Sequence, residues 1–175
     1  MNEYPLFVPP QPLCTKKPSE WTEAEAEDYY QWLLNNLDYR VGSLLAFFDE
    51  DSSQISEQLL VRVSDKVANI LKSELFSQRV NSDFQLTSIG YALSADIGLL
   101  LAKLLLQECS PSIHWAICRE PKTDVSYNCP VLSGFGKLSL DPIQVSITQS
   151  YGILRGKRAD NAWRRVFEVW KRDAV

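Results

Sequence analysis

The stretch Ile89–Leu106 constrains the fold of this chain more than any other part of it. It contains only three strongly polar side chains, those of Ser94, Asp96 and Lys103. A helix that is apolar on nearly all sides is usually buried, with other elements packed around it. We therefore predict that a central helix over about residues 87–108 forms the middle of the fold.

The length of the central helix raises the question of a membrane span, which needs about 20 apolar residues. Asp96 and Lys103 would each cost about 2.5–3.5 kcal/mol at the centre of a bilayer. They lie two helical turns apart, so we expect them to form a narrow polar strip that reaches solvent. The sequence does not begin with a basic segment followed by an apolar one, the pattern of a secretory signal peptide. We expect a soluble, cytoplasmic protein with no membrane partner.

The chain has 175 residues, a length that favours one domain. Residues 1–18 are proline-rich, so we predict an extended arm there, followed by a single α+β domain over residues 19–175. Pro9 and Pro12 fit the P-x-x-P pattern of segments that bind an aromatic groove of another protein. We favour the alternative that the apolar residues of the arm lie along the surface of the domain itself.

Charge is unevenly distributed along the chain. Residues 1–60 contain eleven acids and three bases, whereas residues 61–175 contain fifteen bases and eleven acids. The acidic half can dock on the basic final helix of the same chain, or it can face a basic protein partner. The partner-binding candidates are the acidic residues Glu23, Glu25, Glu27, Asp28, Asp49, Glu50 and Asp51.

Thr22 and Glu25 form a capping box, which predicts the start of a helix. The carboxylates that follow it are also favoured there by the helix dipole, so a purely structural role for them stays open. A second short helix is expected over residues 41–48.

We predict a third helix that starts at a cap formed by Ser52 or Ser53 and runs to about Leu75. The polar segment over residues 77–85 is expected to be a loop.

Alternating apolar residues from Ile113 to Ile117 predict a strand. Residues 125–132 are expected to return as its antiparallel partner, with Trp115 opposite Pro130 and Ala116 opposite Cys129. A third short strand over residues 137–140 completes a small antiparallel sheet over about residues 113–140. The predicted fold class is therefore α+β, mostly helical, with this sheet beside the central helix.

Residues 142–155 alternate like a strand but also place apolar residues on one helical face. Asp141-Pro142 is a typical helix start, so we favour a helix there. The last helix is predicted to begin with Asp160 as its cap and to bury Trp163 and Phe167.

The residues best suited to catalysis are dispersed along the sequence. His114 is the only histidine, and Cys118 and Cys129 are the cysteines nearest to it in the predicted hairpin, where they lie diagonally. Asp96 is the only acid within a long apolar stretch. Apolar surroundings raise the pKa of a carboxyl, and a residue with a shifted pKa often marks a pocket. These four residues define a possible pocket for a small molecule or a substrate.

No pair of cysteines has the Cys-x-x-Cys spacing of zinc sites, and no glycine-rich phosphate motif is present in the sequence. We therefore expect no metal and no cofactor. The sequence pI is about 5.1, which argues against nucleic acid as a partner.

The order of several short motifs is familiar. A helix with Ala95-Asp-Ile-Gly-Leu-Leu100 precedes a strand with Trp115, then a strand with Pro130, a glycine turn and Asp141-Pro142. Over residues 88–154 this order resembles small, mostly uncharacterised bacterial α+β domains, some of which are grouped with immunity proteins of toxin systems.

Those domains often have leucine-glycine-glutamate where this chain has Leu101-Ala102-Lys103, a difference that puts any shared site there in doubt. The resemblance implies partner binding without catalysis. We therefore expect a non-enzymatic protein-binding domain of the immunity type. The alternative is a small-molecule-binding protein or an enzyme with a pocket near Asp96, His114 and the hairpin over residues 113–132.

Overall fold

Five α-helices carry most of the chain in the computed structural model, which describes residues 4–174. They are α1 (Glu23–Phe47), α2 (Glu57–Ile70), α3 (Ser88–Cys109), α4 (Pro142–Leu154) and α5 (Ala162–Asp173). Two small antiparallel sheets accompany them, so the predicted α+β class is confirmed. Residues 1–3 of the predicted arm and residue 175 of the predicted domain lie outside the described residues.

Helix α3 is the centre of the fold, as its composition predicts. Leu100 and Leu104 are completely buried, and α1, α2, α4 and α5 all pack against α3. By length and composition α3 could cross a membrane, but 78% of its most apolar window is buried inside the domain. Thr87 caps the helix by accepting a hydrogen bond from the amide of Gly90.

Small residues let α4 lie very close to α3. A Cβ added at Gly98 would come within 2.3 Å of the Pro142 carbonyl oxygen, so only glycine fits there. Next to it the Ser146 hydroxyl donates to the carbonyl of Ser94 and accepts from Trp163 Nε1 on α5. Each of these buried polar groups therefore has a hydrogen-bond partner within the protein.

Helix α1 is longer than predicted. The capping box of Thr22 and Glu25 is confirmed, but the separate short helix predicted over residues 41–48 is wrong, because α1 continues without a break to Phe47. Arg40 and Val41 are both buried against the core. Tertiary contacts of this kind commonly hold a helix together across residues of low helix propensity.

Helix α2 is shorter than predicted. Its cap is Ser56, whose hydroxyl accepts from the amide of Leu59, and neither Ser52 nor Ser53 caps it. Asp51 instead bonds to the amide and hydroxyl of Ser53, which holds that segment as a turn. The prediction of a helix from Ser52 or Ser53 to Leu75 is therefore wrong at both ends.

A two-stranded sheet lies where a loop was predicted over residues 77–85. Strand β1 (Ser77–Val80) pairs with β2 (Asp83–Leu86) in antiparallel register. Asn81 and Ser82 join the strands with φ values of 48° and 69°, the left-handed conformation of the tightest hairpin turns.

The second sheet has the order β3 (His114–Ile117), β4 (Pro130–Phe135) and β5 (Leu138–Leu140). The predicted register is wrong by two residues, because Trp115 lies opposite Leu132 and Ala116 opposite Val131. The loop before β4 contains a second turn, closed by the hydrogen bond from the Cys129 amide to the Ser126 carbonyl. The extra turn delays the start of β4 to Pro130.

The segment over residues 142–154 is a helix, as favoured above, and Asp141 caps it. Helix α5 begins after Asn161, so the predicted cap at Asp160 is wrong. It packs mainly on α2, α3 and α4, and its cations Arg164 and Lys171 pair with Glu57 and Glu108. The acidic segment over residues 20–51 is therefore not what covers the basic final helix.

Candidate functional site

The structure separates the seven acidic candidates into two clusters at opposite ends of α1. Glu23, Glu25, Glu27 and Asp28 lie in its first two turns, whereas Asp49, Glu50 and Asp51 follow its last turn. The helix has 25 residues, which at 1.5 Å per residue places the two clusters roughly 35 Å apart. A partner protein would therefore bind at one of the two clusters and not at both.

The cluster at the end of α1 is engaged within the chain. Glu50 accepts from Lys66 and Arg62, and these bonds hold the pKa of its carboxyl below the ordinary value. The hydrogen bonds from Ser53 likewise lower the pKa of Asp51. Glu50 therefore joins α1 to α2 and Asp51 holds the turn at Ser53, whereas Asp49 is exposed and has no ion pair within residues 4–174.

The cluster at the start of α1 is open to solvent. Glu25 completes the capping box and pairs with Lys16, which together lower the pKa of its carboxyl. Glu23, Glu27 and Asp28 are exposed, and none of them has an ion pair within residues 4–174. We call these three residues the acidic face of α1.

An aromatic groove lies between the N-terminal arm and the start of α1. Its volume is about 380 Å³, and Phe7, Val8, Trp21, Tyr29 and Tyr91 are among the residues that line it. The rings of Trp21 and Tyr29 lie 4.9 Å apart, and Phe7 is 6.1 Å from Tyr91. Tyr29 follows Asp28 in the sequence but lies about 100° round the helix from it, on the buried side of α1. Glu25, one turn before Tyr29, pairs with Lys16, which also lines the groove.

Polar groups of the groove are only partly satisfied. Trp21 Nε1 is buried and has no hydrogen-bond partner in the described part of the chain. A buried donor without a partner costs free energy, and an acceptor brought by a bound molecule would remove that cost. Burial also raises the pKa of Tyr91 to about 12, with the nearby Asp141 adding to the effect, so its hydroxyl remains a donor at neutral pH.

The arm over residues 4–18 contributes to this groove by packing on the domain, as we favoured above. Tyr4 and Leu13 are buried, and Phe7 makes an edge-to-face contact with Trp32 at 5.3 Å. Leu6 and Val8 point outward, and Val8 is 60% exposed. The arm thus supplies one wall of the groove and leaves an apolar strip in solvent.

Asp96 does not join the other three residues of the possible pocket. Asp96 is completely buried on α3, whereas His114 is exposed at the start of β3. Among the described residues no side-chain hydrogen bond joins Asp96 to His114, Cys118 or Cys129. Asp96 is therefore satisfied by Arg40 and Tyr4 and not by the other three residues of the possible pocket.

The predicted polar strip of Asp96 and Lys103 is also wrong. Asp96 accepts two hydrogen bonds from Arg40, at 2.8 and 2.6 Å, and one from Tyr4 at 2.6 Å. Lys103 lies partly exposed and pairs with Asp38. Burial raises the pKa of Asp96 to about 6 while the bonds from Arg40 and Tyr4 oppose that rise. This buried network fastens the arm and α1 to α3.

Cys118 and Cys129 lie opposite each other, so the predicted diagonal placement is wrong. The amide of Cys118 donates to the carbonyl of Cys129 at 2.9 Å, and both thiols are free. Burial and nearby carboxylates raise the pKa of Cys129 to about 12. A thiol is a nucleophile only as its thiolate, so Cys129 is unreactive near neutral pH.

Nowhere in residues 4–174 do three or more His, Cys, Asp or Glu side chains converge as a metal site requires.

Sequence reasoning identified the acidic face but missed the groove, since its walls come from the arm, α1 and α3. Comparison with protein-family models, curated proteins and solved structures finds no match for this chain.

Proposed function

We propose that this chain is a non-enzymatic, cytoplasmic protein-binding domain that docks a basic segment of another protein on the acidic face of α1. The observation that carries the proposal is the exposure of Glu23, Glu27 and Asp28 without ion pairs in the described structure. The opposite side of α1 is buried in the core, so the three carboxylates are presented on a rigid support.

The aromatic groove supports the same proposal. Interfaces derive most of their affinity from a few aromatic or apolar anchors, while surrounding charges guide association. The groove would take an apolar side chain of the basic segment, and the carboxylates of the acidic face would attract its lysines and arginines. The unsatisfied Trp21 Nε1 would donate to an acceptor of the bound segment.

The finer proposal is that the partner is a toxin and that binding neutralises it. It depends on the resemblance of residues 88–154 to domains that are grouped with immunity proteins. Neutralisation by binding needs no catalytic group, which agrees with the separation of the buried Asp96 from the exposed His114.

The test is capture of partner proteins from the native cell by the purified chain. The triple variant Glu23→Lys, Glu27→Lys, Asp28→Lys should lose a protein that the unmodified chain captures. Its melting temperature should hardly change, because exposed charges contribute about 0–1 kcal/mol to stability.

A matched control variant reverses three exposed acids elsewhere, Glu74→Lys, Glu120→Lys and Asp160→Lys, and so makes the same change in net charge. This control should capture the partner normally. Equal loss with both triple variants would show an effect of net charge and would contradict a defined face. The pocket alternative predicts the opposite result. His114→Ala would then abolish ligand binding or turnover, and the triple variant of α1 would have no effect.

A further inference from the structure

A basic groove lies on α4 and α5, elements that do not contribute to the acidic face. It is bounded by the end of α4, the loop over residues 155–161 and the first turns of α5, and its volume is about 290 Å³. Lys157, Arg158 and Arg165 line one side, and Val169 and Trp170 line another. The groove therefore combines concentrated positive charge with an apolar wall.

The loop that carries two of these cations is held firmly. The amides of Lys157 and Arg158 both donate to the carbonyl of Gly152, at 2.8 and 3.1 Å. Gly156 turns the chain with a φ of 68°. The stem of Arg158 lies directly on Gly152, where an added Cβ would be 2.3 Å from Arg158 Cγ. The position of Arg158 thus depends on a glycine in the last turn of α4.

Among the described residues the three cations of the groove have no ion pair, in contrast to their neighbours. Arg155 pairs with Asp83, and Arg164 pairs with Glu57 and Glu168. No carboxylate of residues 4–174 lies within ion-pair distance of Lys157, Arg158 or Arg165. Unpaired cations gathered in one concave site form a surface that attracts anions.

Two further observations point into the same groove. Helix α5 begins there, and no side chain caps its first turn, so its amides and dipole favour a negative charge. Gln149 on α4 is 9% exposed, lines the groove and makes no side-chain hydrogen bond with the rest of the described chain. The amide itself reaches the solvent of the groove, so it is free to bond a ligand there.

We propose that this groove binds the phosphate monoester of a small molecule. The phosphate would lie between Lys157, Arg158 and Arg165 at the start of α5, with the Gln149 amide donating to one of its oxygens. A phosphate monoester carries about −1.5 to −2 charge at neutral pH and three acceptor oxygens, which matches several donors better than a carboxylate does.

The apolar wall selects the remainder of the ligand. Val169 is 43% exposed, and the Trp170 ring is fixed by an edge-to-face contact with Phe135 at 4.7 Å. A flat or apolar body attached to the phosphate can lie against these two side chains. The groove volume is near the lower end of known small-molecule sites, which are roughly 300–1,000 Å³, so the body is about the size of one ring.

Phenyl phosphate is the probe that tests this site, with binding measured by isothermal titration calorimetry at low ionic strength. The unmodified chain should bind it saturably. Lys157→Gln should weaken binding about tenfold or more, because a hydrogen bond to a charged group is lost. Gly152→Ala should weaken it as well without removing a charge, since the new methyl group displaces the stem of Arg158.

Arg172→Gln is the matched control, because Arg172 lies on α5, is exposed and does not line the groove. Within residues 4–174 its one ion pair is with the adjacent Asp173. It should leave the affinity within about twofold, below the effect of one lost hydrogen bond. Equal weakening by Arg172→Gln and Lys157→Gln would mean diffuse charge attraction and overturn the proposal. The proposal would also be overturned if the unmodified chain showed no saturable binding of phenyl phosphate at concentrations up to about the millimolar range.

A second titration distinguishes the source of the phosphate. A phosphotyrosine peptide presents the same phenyl phosphate group as part of a protein segment. Binding of the peptide more tightly than of phenyl phosphate would assign the groove to a protein ligand and overturn the small-molecule proposal. Equal or weaker binding of the peptide supports it. Melting temperatures of the Gly152→Ala and Lys157→Gln variants confirm that both are folded.

Discussion

Replacing Arg40 with methionine should destabilise this protein more than any change of a surface charge. The Arg40 guanidinium is the only cation in contact with Asp96 among the described residues, and it also donates to the carbonyls of Pro5 and Leu6. The side chains of Arg40 and Asp96 are 4% and 0% exposed. The substitution therefore leaves a carboxylate buried without its counter-charge and frees two carbonyls of the arm.

The expected loss follows from the burial of the pair. Removing one partner of a buried ion pair costs about 3–5 kcal/mol, chiefly because the remaining charge has no water to solvate it. For a domain of this length each kcal/mol lowers the melting temperature by about 2–4 °C, so Arg40→Met should lower it by about 6–20 °C.

Urea unfolding followed by circular dichroism measures this loss, and Arg62→Met is the control. Arg62 pairs with Glu50 but its side chain is 54% exposed, so the control should cost about 0–1 kcal/mol. The double variant Arg40→Met, Asp96→Asn removes both charges and should be more stable than Arg40→Met alone.

The pH dependence of the loss provides a further check. Burial already raises the pKa of Asp96 above its ordinary value of 3.8, and without Arg40 the pKa should rise further. When the pKa of a carboxyl is higher in the folded state than in the unfolded state, the folded protein becomes less stable as the pH rises above the unfolded-state pKa. The deficit of Arg40→Met should therefore be smaller near pH 5 than near pH 8. If Arg40→Met costs no more than Arg62→Met, or if its deficit is independent of pH, the network does not have the role assigned to it.

Two further predictions concern the core and the thiols. Leu104→Ala should cost about 2–5 kcal/mol, because Leu104 is completely buried in α3; an unchanged melting temperature would mean that α3 is not the centre of the fold. A thiol reagent at about pH 8 should modify the exposed Cys14 quickly and Cys129 slowly, since burial raises the pKa of Cys129 to about 12. After denaturation all four cysteines should react, and a count of two would reveal a disulfide.

The parts of the fold that follow local rules were predictable. The composition of Ile89–Leu106 predicted its burial, and the Thr22–Glu25 capping box and Asp141-Pro142 predicted two helix starts that the structure confirms. Each of these signals depends on residues within a few positions of one another, so the sequence alone contains the information.

The failures involve contacts between distant residues. Asp96 was expected to reach solvent, because nothing in its own helix shows that Arg40, 56 residues away, satisfies it. The hairpin over residues 77–86 was missed because its turn uses Asn81-Ser82 without a glycine. The register of β3 and β4 was wrong because the second turn near Ser126 is not apparent from the sequence pattern.

The candidate site shows the same division. The charges of Glu23, Glu27 and Asp28 were evident in the sequence, but their separation from Asp49, Glu50 and Asp51 requires knowing that α1 is one continuous helix. The aromatic groove is assembled from residues 7 to 91 of the chain, and so it could be found only in the folded structure.

The most direct measurement of the central claim is the association rate of the captured partner as a function of salt concentration. If the acidic face of α1 guides a basic partner, the rate constant should fall as salt screens the charges, and the variant Glu23→Lys, Glu27→Lys, Asp28→Lys should lose both the fast association and its salt dependence. A rate constant that responds neither to salt nor to the reversal of these three carboxylates would contradict the proposed function.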